Sequence, residues 1–451
     1  MTVRFVKNVI ESTRWATDSP LRGIRRAGFP HGLTLLGQTG PVTSQPHTTP
    51  AIRSPGFGIR RNLLRPDHSA QADRVTHIEL FFDLIFVLAL TQLSRYLYEN
   101  QSWAGALESA VLVLALWWIW VHTTWVTNVL DPARLPVRGA VIGLSLIGLV
   151  ISVSIYESFG DRGLVFALAY VLLQLGRTAF MAIAVARHDS ALFRTFVRIF
   201  LWLAMAGAFW IVGGLLPPAY RLALWTLALG IEFLSAGVGF PVPGLGRSRP
   251  RNAELTGAHI AERSALFVII ALGESFLVTG FAFVDQSASL AGVLGLLIAF
   301  VSGVAMWWLY FDHAESAGSR ALAADEGSGR VARLAYTYVH AVIIAGVVLT
   351  GVGDKEILGH PHDTMMLSTA VTITGGPLLY LLGLALFRLV VTGEVLLSHL
   401  LGIVLLLCLL PLSFLLSPLL LGAASMGVLA VVACWETIVR LRNGTADEEA
   451  G

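Results

Sequence analysis

Charge is scarce in this chain. Only 13% of its 451 residues are charged and 55% are hydrophobic, about half the charged share of an average soluble protein. That is too little to cover a water-facing globule, so the two or three soluble domains that the length alone would suggest are set aside. Cysteine is nearly absent. Cys408 and Cys434 both sit in apolar runs, which argues against a disulfide framework and a CxxC metal or redox site and leaves them as small core or lipid-facing residues. Catalytic motifs are missing too: the chain has no HExxH, P-loop or GxSxG, and no secretory h-region follows its first basic residues. The net charge of +2 says little, because in a chain of this kind the placement of charge matters more than its sum.

Long apolar runs are abundant. From residue 77 they follow one another at near 20 residues each, and at 1.5 Å per residue that spans a hydrocarbon core of about 30 Å. About twelve spans are expected: 77–98, 104–127, 137–157, 162–186, 195–216, 219–239, 258–284, 290–313, 330–352, 365–391, 395–416 and 418–441. Connections as short as Pro217-Pro218 and Ser417-Pro418 require antiparallel hairpins. Residues 1–74 are rich in Arg, Gly, Pro, Ser and Thr and read as a flexible basic cytoplasmic tail. Residues 241–256 read as a cytoplasmic linker and 443–451 as a polar C-terminal tail. Arginines recur after every even-numbered span, among them Arg134, Arg187, Arg247, Arg320 and Arg388, while the other side has mainly Arg162, Arg221 and Lys355. The positive-inside rule then puts both termini in the cytoplasm.

The chain also repeats itself. Thr76 to Leu93 (THIELFFDLIFVLALTQL) aligns without a gap on Ala258 to Ser275 (AHIAERSALFVIIALGES), placing His77 on His259 and Gln92 on Glu274. Trp117-Trp118-Ile119-Trp120 with His122 resembles Trp307-Trp308-Leu309-Tyr310 with His313, and Glu232 matches Glu436. The expected fold is therefore an all-α polytopic transmembrane helix bundle of two parallel six-helix repeats, 75–240 and 257–442, because six spans return the chain to its starting side.

Ionisable groups inside spans are costly and face a partner or a water-filled cavity. Glu79 and Asp83 lie four apart on one helical face, and the second half moves its charge to Glu262 and Arg263. Asp83, between Phe82 and Leu84, is expected to act in function or in a buried ion pair, whereas Glu79, His77 and His259 fit helix-end positioning. Glu274, near mid-span between Gly273 and Ser275, has the setting of a proton-carrying carboxyl or of a helix-joining acid. Arg177 is a candidate partner for Glu274 or Glu232. His77, His122, His259 and His313, with Asp312, form a conceivable metal set, but without tight ligand spacing they read as interfacial. The tryptophans read as an aromatic belt, His340 as a satisfied core histidine, and Gly139-x-x-x-Gly143 as a close-packing site. Gly375-Gly376-Pro377 marks a broken helix or a proline kink.

These residues resemble a known family. Ile78 to Val87 is similar to the first signature of the bacterial low temperature requirement A (LtrA) membrane proteins. His259 to Arg263 with Ile269 to Ser275 resembles the second, and Gly376-Pro377 with Leu379 to Arg388 a third. The resemblance covers about residues 74 to 440, with Ser264 standing where an aromatic is common. It implies a multi-pass protein of the bacterial cytoplasmic membrane, linked by name to growth in the cold, and brings no substrate or cofactor. The expected function is a transporter, with or without proton coupling, that has Asp83 and Glu274 at the interface between halves. Its expected partners are membrane lipids and a small solute or ion, not nucleic acid. The alternatives are an intramembrane enzyme on a lipid or lipid-linked substrate, which needs His77, Asp83, Glu262 and His313 to converge, and a non-catalytic membrane-organising or sensory protein.

Overall fold

A computed structural model describes residues 62–65, 75–248, 257–285, 289–315 and 333–449. Twelve long helices make up these residues: α1 (His77–Glu99), α2 (Trp103–Val129), α3 (Leu135–Ser154), α4 (Gly163–Val185), α5 (Ser190–Leu215), α6 (Pro218–Gly237), α7 (Gly257–Val284), α8 (Leu290–Trp308), α9 (His340–Gly359), α10 (Leu367–Thr392), α11 (Leu397–Leu412) and α12 (Pro418–Glu449). Eleven of them are long and apolar enough to cross a membrane. The exception is α6, which carries both Arg221 and Glu232, each buried.

Local chemistry sets several helix ends. Ser102, Asp189 and Ser289 accept hydrogen bonds from the first free backbone N–H groups of α2, α5 and α8, which lack partners within the helix. Gly393, at φ +76°, closes α10 in a left-handed turn that a side chain would strain. A π-helical stretch, Leu309–Glu315, extends α8, and another, Arg333–Val339, leads into α9. Between these two stretches His340 bridges the Tyr310 hydroxyl at 2.8 Å and the Ala335 carbonyl at 3.0 Å.

Within the first six helices α1 packs on α2 and α3, α3 on α4, α4 on α5, α5 on α6, and α2 on α6. Within the last six, α7 packs on α8 and α9, α9 on α10, α10 on α11, α11 on α12, and α8 on α12. The two sets meet where α1 contacts α7 and α9, and where α2 contacts the same pair. In lipid no hydrophobic force drives helices together, so close approach through small residues and interhelical hydrogen bonds decides such contacts.

The pairing of α9 with α10 shows this, and of the two readings of Gly375-Gly376-Pro377 it excludes the broken helix. α10 runs unbroken through Pro377. Glycines on both helices let α9 lie against it instead: a Cβ built on Gly376 of α10 would stand 2.5 Å from the Thr350 nitrogen, and one on Gly346 of α9 would stand 2.5 Å from that of Tyr380. Gly376→Val is expected to lower stability by about 1–3 kcal/mol, the range for overpacking a tight contact, measured by thermal melting in detergent. Gly139 and Gly143 do the opposite of what their spacing suggested. Neither has a neighbour within 4 Å of a built Cβ, and Gly143 borders a small cavity beside α2 and α4.

The tryptophans also need correction. Trp117, Trp118 and Trp120 are fully buried in the core, while Trp307 and Trp308 remain 45% and 41% exposed. The first set packs inside because α2 is enclosed by helices from both halves, so only the second faces outward as a belt residue would.

Candidate functional site

The interface of α1 with α7 holds five buried ionisable side chains: Glu79, Asp83, His259, Arg263 and Glu274. The two helices are parallel and close to level: Asp83 meets Arg263, and Ser94 meets Glu274, in both cases 180 residues further along. Glu79 and His259 meet in the same way. Three contacts with one offset, spread over nearly the whole length of α1, require parallel helices in register.

At the helix starts is an ionic cluster. The Arg263 guanidinium bonds Asp83 directly, donates to the Thr127 hydroxyl at 3.0 Å and lies 3.8 Å from Glu79. Asp83 also accepts from the Trp120 indole N–H at 2.8 Å. Glu79 accepts from the backbone N–H and hydroxyl of Thr76 at 2.9 and 2.8 Å, folding back over its own helix start as in a capping box. Across the interface His259 Nε2 lies 3.2 Å from Glu79. A fifth member enters from outside the bundle. Arg65 bonds Glu79 at 3.3 Å and the Thr127 carbonyl at 2.9 Å, held by backbone hydrogen bonds from Arg65 to Val129 and from Asp131 to Leu63. Two carboxylates therefore face two guanidiniums and an imidazole, and the four members from α1 and α7 are at most 1% exposed. This balance is what makes the burial tolerable, since an unpaired charge here would be strongly destabilising.

Above the cluster the interface is aromatic. Phe267 of α7 stacks among Trp120, Phe86 and Trp117, with ring centroids 4.5 to 5.8 Å away. These rings lie between the cluster and Glu274, which is 0% exposed near mid-span. The Ser94 hydroxyl faces both Glu274 oxygens, at 3.2 and 3.4 Å. Among the described residues no cation pairs with Glu274. α9 closes this level: a Cβ on Gly351 would be 2.8 Å from the Ser275 hydroxyl. Asp354, one turn further along α9, is buried as well.

Other acids are held by several donors. Glu232 accepts from Tyr170 at 2.7 Å, Trp210 at 2.9 Å and Gln174 at 3.2 Å. Arg177 pairs directly with neither Glu232 nor Glu274 among the described residues. It donates to Gln174 and to the Ile119 carbonyl, so Gln174 links it to Glu232. Glu436 accepts from Ser398 and faces His399 at 2.9 Å.

Of the residues singled out from sequence, Glu79, Asp83 and Arg263 converge, and Glu274 lies on the same interface. Glu232 and Arg177 form a separate network. Glu262 and His77 are exposed and turn away from Asp83, so the convergence required of an intramembrane enzyme does not occur for these two. The side chain of His313 lies outside the described residues; its neighbour Asp312 pairs with Arg440 at 2.7 Å. His122 packs on Trp118. No three His, Cys, Asp or Glu side chains among the described residues converge as metal ligands. Sequence reasoning missed Arg65, placed in the tail, and Ser94 and Thr127, which are unremarkable as letters. Trp120 was visible, but as a belt residue.

Residues 74–434 match the family model of the bacterial low temperature requirement A protein (LtrA). An uncharacterised protein of Rhizobium meliloti (strain 1021) is 37% identical over 389 residues, covering 85% of this chain and 94% of that protein. No solved structure matches.

Proposed function

The chain belongs to the bacterial low temperature requirement A family, and from that premise we propose that it is a proton-coupled transporter of the bacterial cytoplasmic membrane. Its two parallel six-helix repeats, 75–240 and 257–442, meet along α1 and α7, and Glu274 carries the proton. Both termini lie in the cytoplasm, joined to the repeats by the basic tail and the short polar C-terminal tail. The observation that carries this reading is the setting of Glu274: a mid-span carboxyl, fully enclosed, met by the hydroxyls of Ser94 and Thr91 and, among the described residues, by no cation. A carboxyl that only joins helices gathers donors, as Glu232 does with three. One that must take up and release a proton cannot be locked by a permanent counter-charge.

Two further features support the reading. The same helix pairs pack in each six-helix set, and the parallel, level run of α1 beside α7 is what repeats related by an axis along the membrane normal would give. The ionic cluster closes the interface at one end and the aromatic layer covers Glu274 from that side, so access to Glu274 requires the halves to move.

The test is whether the interface opens. Cys408 and Cys434 are both exposed and would first be replaced by Ala. Ala271, on α7 one turn before Glu274 and 0% exposed, then becomes the reporter as Ala271→Cys. A membrane-impermeant maleimide is expected to label it at a rate that changes when a pH gradient is imposed across proteoliposomes. A cysteine there that stays unlabelled under every gradient would instead favour a membrane-organising protein with a fixed interior.

A further inference from the structure

A second feature lies where α1 and α2 meet α9 and α10. A cleft of about 620 Å³ runs between α1 and α2 on one wall and α9 and α10 on the other, within the range of about 300–1,000 Å³ typical of ligand sites. Along α10 it extends from Leu367 to Leu379, about 18 Å at 1.5 Å per residue. Its deep part is lined by side chains such as Leu93, Val113, Val348 and Leu379, and its mouth by Gln101, Ser102 and Ser368. Among the described residues no lining side chain is charged. One polar group inside it is unexplained by the fold. Ser109 lines the cleft, is 3% exposed, and its hydroxyl has no hydrogen-bond partner among the described residues. Serine in a membrane helix usually bonds the carbonyl four residues back, as Ser145 and Ser152 do here. A buried hydroxyl left unpaired is unfavourable by enough that it calls for a partner from the ligand.

We propose that this cleft binds a monoacylglycerol-type membrane lipid: one acyl chain along the apolar floor, an ester carbonyl accepting from Ser109, and free hydroxyls at Gln101, Ser102 and Ser368. Three observations select it. The apolar length takes a single chain, the unpaired Ser109 hydroxyl suits a carbonyl, and the uncharged lining disfavours a carboxylate or phosphate head, which would need a cation in so dry a setting. The cleft opens sideways between membrane-spanning helices, so the ligand enters from the bilayer. This site is independent of proton carriage by Glu274, and either can fail without the other.

The experiment uses the full-length protein in nanodiscs with a photoactivatable monoacylglycerol, a fatty acid of the same chain length serving as the anionic comparator. Labelled peptides are expected to come from α1, α2, α9 and α10, with the fatty acid labelling them less. Ala345→Phe, which fills the cleft from α9, is expected to lower labelling about tenfold, the loss expected when an anchor is excluded. Ser109→Ala is expected to lower it about two- to tenfold, the worth of one hydrogen bond. Ala208→Phe, an equal enlargement on the exposed face of α5, is expected to change nothing. Should Ala345→Phe fail to fold, Ser109→Ala carries the test. Labelling spread evenly over all lipid-facing helices, or unchanged in both cleft variants, would overturn the site; fatty acid labelling as strong as the acylglycerol would overturn the uncharged head.

Discussion

Arg263→Leu is expected to be among the most destabilising single substitutions in this protein, at about 3–5 kcal/mol, because it leaves buried carboxylates without their counter-charge. Arg263 is 0% exposed and bonds Asp83 directly, with Glu79 at 3.8 Å. Losing it leaves Asp83 facing only the Trp120 N–H, while Glu79 keeps Arg65 and His259. The physical cause is separable from the loss of bulk. The double substitution Asp83→Leu with Arg263→Leu removes one charge of each sign and leaves Glu79 balanced by Arg65. It is expected to recover most of the stability, since an apolar pair of similar volume often replaces a buried ion pair without loss. Denaturant titration of the single and double variants in mixed micelles reads both values. A double variant as unstable as the single would mean that the cluster matters through shape and not through charge.

Glu274→Gln is expected to do the reverse, leaving stability within about 1 kcal/mol while abolishing proton-driven flux. Glutamine keeps the volume of the side chain and one oxygen to accept from Ser94, so the hydrogen bond across the interface survives. What it removes is the exchangeable proton. Proteoliposomes with a trapped pH indicator dye would be compared across a panel of candidate solutes with and without an imposed gradient. The wild-type protein is expected to couple proton movement to at least one solute, and Glu274→Gln to couple none. If the variant melts far below the wild type, Glu274 is a helix-joining acid of the same kind as Glu232. The contrast between the two variants sorts buried charge into two classes. Arg263 belongs to a balanced cluster whose loss is expected to be felt by the fold, while the loss of Glu274 is expected to be felt by the proposed activity.

Much of the architecture can be read from spacing alone, because a span needs about 20 apolar residues whatever its neighbours are. The twelve helices fall close to the expected intervals, and the family match over residues 74–434 agrees with the motifs that suggested it. The site was legible where a rule of cost applies. An acid or an arginine within a span must have a partner, and this singled out Asp83, Arg263 and Glu274. It also offered Glu262, whose side chain turns outward, because cost alone does not say which way a residue at a helix start points. Arg65 was hidden for a different reason. It lies beyond the spans in a basic stretch, and only the antiparallel bridge of Leu64 with Leu130 brings it under the bundle. Pro377 and Gly139 show the limit of motif reasoning in lipid: a proline can stay inside a continuous helix, and two glycines four apart can face nothing.

Proton carriage by Glu274 is tested most directly by infrared difference spectroscopy on the protein in lipid as the pH is stepped across its working range. The expected result is a protonated-carboxyl carbonyl band that appears and disappears with pH, is absent from Glu274→Gln and is retained in Glu232→Gln. A carboxyl spectrum that does not change with pH, or a titrating band that survives in Glu274→Gln, would contradict the account.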